Sequence, residues 1–269
     1  MTKIIIQGAG IVGQATKMFL NNANPDLEVV FNDPYKDILA DKEDWQEAKW
    51  VIVCVPTDLN EELSVPENDV KNVDDAINAA LKKGFNGNIV IRSTIGIAAV
   101  KNYEKQLGQH LLVWPEYIRE ATWAEDAVNA RYITLGGEPA EDFANLLVNF
   151  KGSSFITDPV EAMLAKLSTN TFLAMKVVFA NQVKQLADAN GASYDIVKVL
   201  LESEGRLGTS HWKVPGVDGK LGFAGKCFPK DVKTFEAELI RAKLYVDMIR
   251  GVSDINNELR TLDDKPQAN

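Results

Sequence analysis

A glycine-flanked cysteine segment carries the residue types best suited to covalent chemistry in this chain. Cys227, one of only two cysteines, lies in the sequence GFAGKCFPKD, which spans residues 222–231. Lys226 precedes it, and a neighbouring cation favours the thiolate, which is the nucleophilic form of cysteine. Asp231 follows four residues later, where a carboxylate could handle a proton or orient a water molecule. The segment predicts catalysis through sulfur, with a buried structural cysteine as the alternative.

Two further polar pairs have spacings that could support such chemistry. Lys166 and Asn170 are four residues apart on a predicted helix and so share one face, where an ammonium and an amide could hold an oxyanion. Glu116 and Glu120 follow a short apolar segment and could accept protons or orient water. Taken alone, the Lys166 and Asn170 pair favours a solvated helix face over a site, and the two glutamates are a weak signal.

A glycine-rich motif near the N-terminus indicates a nucleotide site. Gly8, Gly10 and Gly13 form a GxGxxG sequence directly after an apolar strand-like segment and before a predicted helix. Asp33 lies 20 residues after Gly13, at the end of the next apolar segment. In this context the glycines allow close approach of a pyrophosphate to a helix N-terminus, and the acidic residue binds the ribose hydroxyls. Because a carboxylate repels a 2′-phosphate, the motif predicts NAD rather than NADP.

Short apolar segments that alternate with helical patterns predict an α/β fold in the first part of the chain. The predicted strands are residues 3–7, 27–31, 50–55, 88–92, 111–113 and 131–135. We expect an N-terminal Rossmann domain with a doubly wound parallel sheet, in which ligands bind at the carboxyl ends of the strands. Pro56-Thr57, Ser93-Thr94 and Pro115-Glu116 all follow predicted strands and should therefore line one crevice.

The pattern becomes helical after residue 157. Residues 160–189 contain no Gly or Pro and predict one long helix, which Asn190-Gly191 ends. The later segments are a helix over 194–202, a Gly- and Pro-rich loop over 205–225, a helical region over 231–260 and a polar, frayed tail over 263–269. We therefore predict two domains, a nucleotide-binding domain over 1–157 and an all-helical domain over 158–269 that carries the cysteine loop.

Composition excludes several functional classes. The chain has 269 residues, of which 46% are hydrophobic and 25% charged, and a net charge of −9, so it lacks the basic surface of nucleic-acid binders. No apolar run approaches the about 18 residues of a membrane span, and the N-terminus has no leader pattern. Cys54 and Cys227 make no disulfide framework, and we expect a cytoplasmic protein without a metal site. Cys54, in an apolar strand, is expected to be a small core residue.

These motifs together resemble the UDP-glucose/GDP-mannose dehydrogenase family over essentially the whole chain. The motifs that carry the resemblance are Gly8/Gly10/Gly13, Val55-Pro56-Thr57, Ser93-Thr94-Ile95, Pro115-Glu116-Tyr117-Ile118-Arg119-Glu120, Lys166-Leu167-Ser168-Thr169-Asn170 and the Cys227 segment. The resemblance implies the four-electron oxidation of a nucleotide-sugar CH₂OH group to a carboxylate, with NAD as hydride acceptor. It also implies a thiohemiacetal and then a thioester on Cys227, a role in polysaccharide biosynthesis and a homodimer.

The resemblance assigns roles to individual residues. Cys227 would be the nucleophile, Lys166 and Asn170 would stabilise the oxyanion, and Asp231 would act with Lys166 on a water molecule. Thr94, Glu116 and Glu120 would position water and take protons. The cofactor contacts would be Gly8, Gly10, Ile11, Val12, Gly13, Asp33, Val55, Pro56, Thr57 and Thr94. The substrate contacts would be Tyr117, Ile118, Arg119, Lys166, Asn170, Arg206, Trp212, Phe223 and Gly225.

The resemblance leaves the substrate and two alternatives open. The family's usual C-terminal nucleotide-covering domain has no counterpart in this sequence, so we expect a short form in which a UDP-sugar is favoured and the sugar is unspecified. A β-hydroxyacid dehydrogenase of the 6-phosphogluconate or hydroxyisobutyrate type shares the Rossmann domain and the Lys-x-x-x-Asn pair but transfers one hydride and needs no cysteine. A non-catalytic NAD-binding module is the third reading.

Overall fold

The computed structural model describes residues 1–263. Its contacts divide the chain into two compact units. Unit 1 comprises residues 1–60 and 68–166, and unit 2 comprises residues 61–67 and the chain from Leu167 onward. The domain boundary predicted near residue 157 stays a prediction. The predicted polar tail lies, apart from residue 263, outside the described residues.

A seven-stranded sheet forms the centre of unit 1. Its strands are β1 (Lys3–Gln7), β2 (Glu28–Asn32), β3 (Ala48–Val53), β6 (Asn88–Ile91), β7 (Leu111–Val113), β8 (Tyr132–Gly136) and β9 (Ser153–Thr157), while β4 (Leu59–Asn60) and β5 (Glu67–Asn68) pair separately. The order is β2-β1-β3-β6-β7-β8-β9. All neighbours are parallel except β7 and β8, which pair antiparallel, so the predicted parallel sheet is confirmed with one reversed step.

The strand order places a topological switch point between β1 and β3. The chain leaves β1 to form β2 on one side and then returns past β1 to form β3 on the other side. Connections that run in opposite directions from adjacent strands open a crevice at their carboxyl ends, where ligands bind in such sheets. The loop after β1 holds the three glycines, and the loop after β3 holds Val55-Pro56-Thr57.

Helices cover the sheet of unit 1. They are α1 (Ile11–Ala23), α2 (Lys42–Glu47), α3 (Lys71–Lys82), α4 (Ile97–Leu107), α5 (Trp123–Val128) and α6 (Ala140–Leu146). Ile4, Ile6 and Ile52 are completely buried in a core cluster that also includes side chains of α1 and α6. Burial of each such side chain contributes roughly 1.5–3 kcal/mol. This core fixes the strand ends that position the candidate site.

Unit 2 is built from helices. Besides the later part of α7 (Pro159–Ala189), it contains α8 (Tyr194–Ser203), α9 (Phe228–Arg241) and α10 (Asp247–Asp263). The long helix predicted from residue 160 is confirmed, and Gly191 ends it with a φ of +65°. The final helical region predicted over 231–260 consists of two helices rather than one. Lys243, with a φ of +57°, lies at the break between them.

Candidate active site

The three positions after β1 are glycine for different structural reasons. Gly8 has a φ of +98°, and a Cβ there would lie 2.5 Å from the Cys54 carbonyl oxygen. A Cβ on Gly13 would collide with the Gly8 carbonyl oxygen. Gly10 caps α1 with a φ of −74°, and a Cβ there would meet nothing within 4 Å. Only Gly10 therefore leaves open space at the helix N-terminus, where Ile11 and Val12 begin the first turn of α1.

Asp33 lies at the end of β2 and faces the glycine loop. Its Oδ2 accepts a hydrogen bond of 2.8 Å from the Ala9 N–H, and its Oδ1 accepts one of 3.2 Å from the Tyr35 N–H. Each carboxylate oxygen can accept a second bond, so capacity for ribose hydroxyls is retained. Lys36 Nζ donates to the Ala9 carbonyl at 2.7 Å. A carboxylate and an ammonium group from the residues that follow β2 thus both bind the backbone of the glycine loop.

The strand ends predicted to line one crevice are partly brought together. Thr57 Oγ1 donates to the Thr94 carbonyl oxygen at 2.7 Å, and Ser93 Oγ donates to the Val55 carbonyl oxygen at 2.7 Å. Thr57, Ser93 and Thr94 are buried, whereas Pro56 is exposed. These bonds join the ends of β3 and β6. They explain why polar hydroxyl residues follow two apolar strands.

Glu116 and Lys166 form a buried ion pair in unit 1. Lys166 Nζ donates to Glu116 Oε1 at 3.2 Å, with the two side chains 3% and 7% exposed. Glu116 Oε2 also accepts from the Ile118 N–H at 2.8 Å. A buried charge without its partner is costly, so each of these side chains offsets the cost of burying the other. Lys166 Nζ also lies 5.4 Å from the centre of the Tyr117 ring.

The segment after Glu116 borders a cavity within unit 1. The cavity has a volume of about 420 Å³, and Tyr117, Ile118 and Arg119 are among its lining residues. Burial raises the pKa of the Tyr117 hydroxyl above its usual value. The Arg119 guanidinium donates to both carboxylate oxygens of Asp126. Glu120 is exposed on a 3-10 turn, where the part of the chain described shows it in no hydrogen bond or ion pair.

Arg92 is a buried cation in this cavity wall that the sequence analysis did not single out. It is 6% exposed, its Nε donates to Thr16 Oγ1 at 2.6 Å, and its guanidinium stacks 3.8 Å from the Trp114 ring centre. Burial lowers the pKa of this guanidinium from its ordinary value. The signal in the sequence was a charged residue at the end of an otherwise apolar strand, directly before Ser93-Thr94.

Unit 2 places Cys227 at the start of a helix. Cys227 is exposed and caps the N-terminus of α9, whose second residue is Pro229. Proline suits the first turn because its missing N–H has no intrahelical partner there. A helix N-terminus carries partial positive charge, which favours an anion such as a thiolate. The sequence thus positions an accessible sulfur where negative charge is stabilised.

Asp231, one turn into α9, is held between an amide and an ammonium. Its side chain is fully buried, its Oδ2 accepts from Asn170 Nδ2 at 2.6 Å, and its Oδ1 accepts from Lys230 Nζ at 2.7 Å. The Asp231 N–H donates to the Cys227 carbonyl at 2.9 Å. The structure therefore joins the predicted residues Asn170 and Asp231 directly, and it adds Lys230 as a partner that the sequence analysis did not assign.

The predicted substrate contacts of the 205–225 loop differ in exposure. Arg206 is exposed and pairs with Glu204, and Gly225 is exposed with a φ of +87°. Trp212 and Phe223 are instead buried, at 3% and 7% exposure. Trp212 Nε1 donates to the Gly208 carbonyl, and the Phe223 ring belongs to the hydrophobic core of unit 2. These two aromatic residues stabilise the loop.

Among residues 1–263, no group of three or more His, Cys, Asp or Glu side chains could hold a metal ion. Within the same range, no helix has both the length and the apolar character required to cross a membrane.

Comparisons with known proteins bear on the region that holds Cys227. Residues 160–258 match the sequence model described as the UDP-glucose/GDP-mannose dehydrogenase family, central domain. UDP-glucose 6-dehydrogenase of Campylobacter jejuni is 27% identical over 269 aligned positions, which cover 86% of this chain and 66% of that protein. UDP-glucose 6-dehydrogenase of Streptococcus pneumoniae is 26% identical over 72% of this chain and 50% of its own length. The chain thus spans one half to about two thirds of these curated relatives.

Solved structures share the fold. A UDP-glucose dehydrogenase from Pyrobaculum islandicum superposes with a TM-score of 0.79 at 22% identity, over 96% of this chain and 68% of that one. The 3-hydroxyisobutyrate dehydrogenase of Mycobacterium tuberculosis superposes with a TM-score of 0.74 at 18% identity, over 96% of this chain and 93% of that one. Both show a Rossmann-type sheet followed by helices, so the predicted fold class is confirmed. The resemblance to the UDP-glucose/GDP-mannose dehydrogenase family is likewise confirmed, with residues 160–258 matching its central domain.

Proposed function

We propose that this chain oxidises the C6 alcohol of a nucleotide sugar to the carboxylate, with NAD as hydride acceptor and Cys227 as covalent nucleophile. The observation that carries the proposal is an exposed cysteine at the start of α9, one turn from a buried Asp231. Asn170 and Lys230 bind that carboxylate, and all four residues lie within the matched family domain. Both curated relatives are UDP-glucose 6-dehydrogenases, which favours a UDP-sugar as substrate.

The cofactor site would be the glycine loop of unit 1. The open space over Gly10 fits the approach of a pyrophosphate to the N-terminus of α1, and the remaining acceptor capacity of Asp33 fits ribose hydroxyls. Val55, Pro56, Thr57 and Thr94 follow the neighbouring strands at the same edge of the sheet. NAD bound there would accept one hydride in each of two oxidation steps, so that one sugar yields two NADH.

The cysteine accounts for the second oxidation. The first step removes a hydride from the C6 alcohol and a proton from its hydroxyl, which gives an aldehyde. The Cys227 thiolate then adds to the aldehyde carbon and forms a thiohemiacetal, from which a second hydride and a proton leave to give a thioester. Water attacks the thioester, the carboxylic acid is released and the sulfur leaves as thiolate. Loss of hydride from the free aldehyde would leave an acylium cation, whereas loss of hydride and a proton from the tetrahedral sulfur adduct leaves a stable thioester.

Polar residues would handle the charges and protons. Lys166 and Asn170, four residues apart on α7, would stabilise the oxyanion that forms at each addition step. Removal of one such donor typically lowers the rate about 10²–10³-fold. Glu116, Thr94 and Glu120 would position water and accept protons, and Asp231 would act on the hydrolytic water. Arg206, Tyr117, Ile118, Arg119 and Gly225 are proposed substrate contacts, together with the loop backbone at Trp212 and Phe223, whose rings are buried.

An apolar surface of unit 2 supports the proposal of a homodimer. Phe172, Phe179 and Leu186 on α7 are more than half exposed, as are Ile196 and Leu200 on α8. Large side chains exposed at helical spacing on two successive helices mark an association surface in a protein of this composition. Burial of this surface in a second copy would remove it from water.

The runner-up function is a β-hydroxyacid dehydrogenase. The 93% coverage of the mycobacterial hydroxyisobutyrate dehydrogenase favours it, since the two chains share nearly the whole fold. Such an enzyme would transfer one hydride and would not depend on Cys227. The family-domain match and the exposed cysteine favour the first proposal over this one.

The deciding experiment measures NADH release against a panel of UDP- and GDP-sugars, with mass spectrometry of the product. We expect two NADH per sugar and a uronic acid from one of them. Cys227→Ser should give no acid and at most one NADH per sugar, while Cys54→Ala, which removes the other thiol, should keep the acid as product. One NADH per molecule of 3-hydroxyisobutyrate or 6-phosphogluconate, assayed beside the sugars, would support the runner-up, and no NADH from any of these substrates would support a non-catalytic module.

A further inference from the structure

Polar side chains from two helices hold the backbone that leads to Cys227. Residues 221–223 run between α7 and α10, and three side chains bind them there. Asn256 on α10 bonds to Phe223, Asn181 on α7 bonds to Gly222, and Arg260 on α10 bonds to the Leu221 carbonyl. We call these three side chains, Asn181, Asn256 and Arg260, the loop clamp. None of them was singled out by the sequence motifs.

Asn256 makes the closest contacts of the loop clamp. Its Oδ1 accepts from the Phe223 N–H at 2.6 Å, and its Nδ2 donates to the Phe223 carbonyl at 3.2 Å. Asn256 is 6% exposed, so both bonds are shielded from water. Loss of one partner would leave a buried backbone N–H without an acceptor. This reciprocal pair fixes both the position and the direction of the Phe223 peptide.

The clamp also explains why position 222 is glycine. Gly222 has a φ of +71°, and a Cβ there would lie 2.5 Å from Asn256 Oδ1. The Gly222 N–H donates to Asn181 Oδ1 at 3.3 Å. Arg260, one turn after Asn256, donates to the Leu221 carbonyl and to Asp218. The chain can therefore pass this close to α10 only without a side chain at position 222.

Contact between the rings of Phe223 and Phe228 links the clamped segment to the start of α9. The Phe223 ring is buried with Val178, Val232 and Ile249. It lies 6.1 Å from the ring of Phe228, the first residue of α9. Residues 224–227 are exposed between these two fixed points. The nucleophile thus lies on a short exposed segment whose ends are held by the clamp and by α9.

We infer that Asn256 is a positioning residue for the proposed nucleophile. It acts through Phe223, and it sets the path by which the chain reaches Cys227. The inference rests on the proposed function, because positioning matters only if the sulfur must meet a bound aldehyde. Misplacement of a reacting group by about 1 Å can lower a rate about 100-fold.

The test compares Asn256→Ala with Asn257→Ala, which changes the same residue type at the exposed neighbouring position of α10. Hydrogen exchange measured on the native proteins should show at least tenfold faster exchange of the Phe223 amide in Asn256→Ala and no change in Asn257→Ala. With the active nucleotide sugar, Asn256→Ala should release free aldehyde, trapped with hydroxylamine, and form acid at least tenfold more slowly. The KM for NAD should stay within twofold of the wild-type value.

A loss of structure alone would lower all rates while acid remained the product, so the ratio of aldehyde to acid separates positioning from stability. Asn256→Asp keeps the acceptor for the Phe223 N–H but loses the donor to its carbonyl. If Asn256→Ala does not fold, Asn256→Asp carries the test by its ratio of aldehyde to acid alone, and acid as the product with no aldehyde then overturns the inference. In Asn256→Ala, unchanged Phe223 exchange, or faster exchange with acid as the product and no aldehyde, overturns it. If the wild-type chain oxidises no sugar, the proposed function fails, while the exchange result still decides whether the clamp exists.

Discussion

At the scale of single residues, the two cysteines occupy opposite environments. Cys227 is exposed at the N-terminus of α9, whereas Cys54 follows β3, is 6% exposed and packs in the core of unit 1. Burial raises the pKa of the Cys54 thiol to about 11. The prediction of Cys54 as a small core residue is thus confirmed, although β3 ends one residue before it. The two thiols thus differ in accessibility and in local charge, which are the properties that govern thiol reactivity.

This difference predicts the alkylation pattern of the native protein. At pH 7.5, iodoacetamide should label Cys227 and leave Cys54 unmodified, because the raised pKa keeps Cys54 protonated and burial blocks the reagent. Cys54 should become labelled only in denaturant or as the pH approaches 11. Peptide mass spectrometry of the labelled chain measures both sites, and Cys227→Ser serves as the blank. Native labelling of Cys54 at pH 7.5 would contradict the prediction.

The sequence predicted which polar residues share a helix face, but it did not predict their hydrogen-bond partners. Helical spacing grouped Lys166 with Asn170, but the structure pairs Lys166 with Glu116 and Asn170 with Asp231. Each bond joins segments separated by 50 residues or more along the chain. Periodicity reports only which face of a helix a residue occupies. The partner depends on tertiary packing, and for the same reason the clamp residue Asn256 carried no recognisable signal.

At the scale of elements, the loop after β1 contains two glycines that the packing of the chain requires and one that it does not. Gly8 is required by its positive φ and by the nearby Cys54 carbonyl after β3, and Gly13 is required by the packing of α1 against the Gly8 carbonyl. Gly10 has a negative φ and open space around it. Its lack of a side chain has no structural reason within the described residues, which is consistent with a ligand that approaches the backbone at this point.

The loop therefore predicts two different outcomes for two alanine substitutions. Gly10→Ala should keep the melting temperature within about 2 °C of the wild-type value but weaken NAD binding at least tenfold, because the methyl group would occupy the pyrophosphate position. Gly13→Ala should lower both stability and binding, because α1 must move away from Gly8. Thermal melts and NAD titration by calorimetry measure the two effects. Equal destabilisation by both substitutions would contradict this assignment.

Strong hydrophobic patterns predicted the long elements, and weak patterns hid the short ones. Both ends of the buried strand β1 and of the long helix α7 were predicted to within one residue. The strand β9 was not predicted, because its residues Ser153–Ile156 are exposed and show no apolar alternation. It forms by pairing with β8, and such edge pairing leaves little trace in a single sequence. The six-residue helix α2 was missed for a similar reason.

At the scale of the whole molecule, the fold alone does not indicate which reaction the chain catalyses. The Rossmann sheet followed by helices is shared with a UDP-glucose dehydrogenase and with a hydroxyisobutyrate dehydrogenase. Alternating strands and helices were sufficient to predict this architecture. The architecture alone does not select a reaction, because one fold supports many functions. The exposed Cys227 and the buried Asp231 beside it favour the two-step oxidation.

The cofactor preference gives a prediction for the stability of the entire protein. A ligand at 100 times its dissociation constant stabilises the native state by about 2.7 kcal/mol, which for a chain of this size raises the melting temperature by several degrees. NAD should produce this shift, and NADP at the same concentration should not, because Asp33 would repel a 2′-phosphate.

Asp33→Ser should reduce the rise in melting temperature with NAD and narrow the difference in that rise between NAD and NADP. Asp37→Asn, at an exposed αL position three residues after Pro34, serves as the control. Since all proposed cofactor contacts lie in unit 1, hydrogen exchange should locate the added protection there. An equal shift with NADP would show that Asp33 does not select the cofactor.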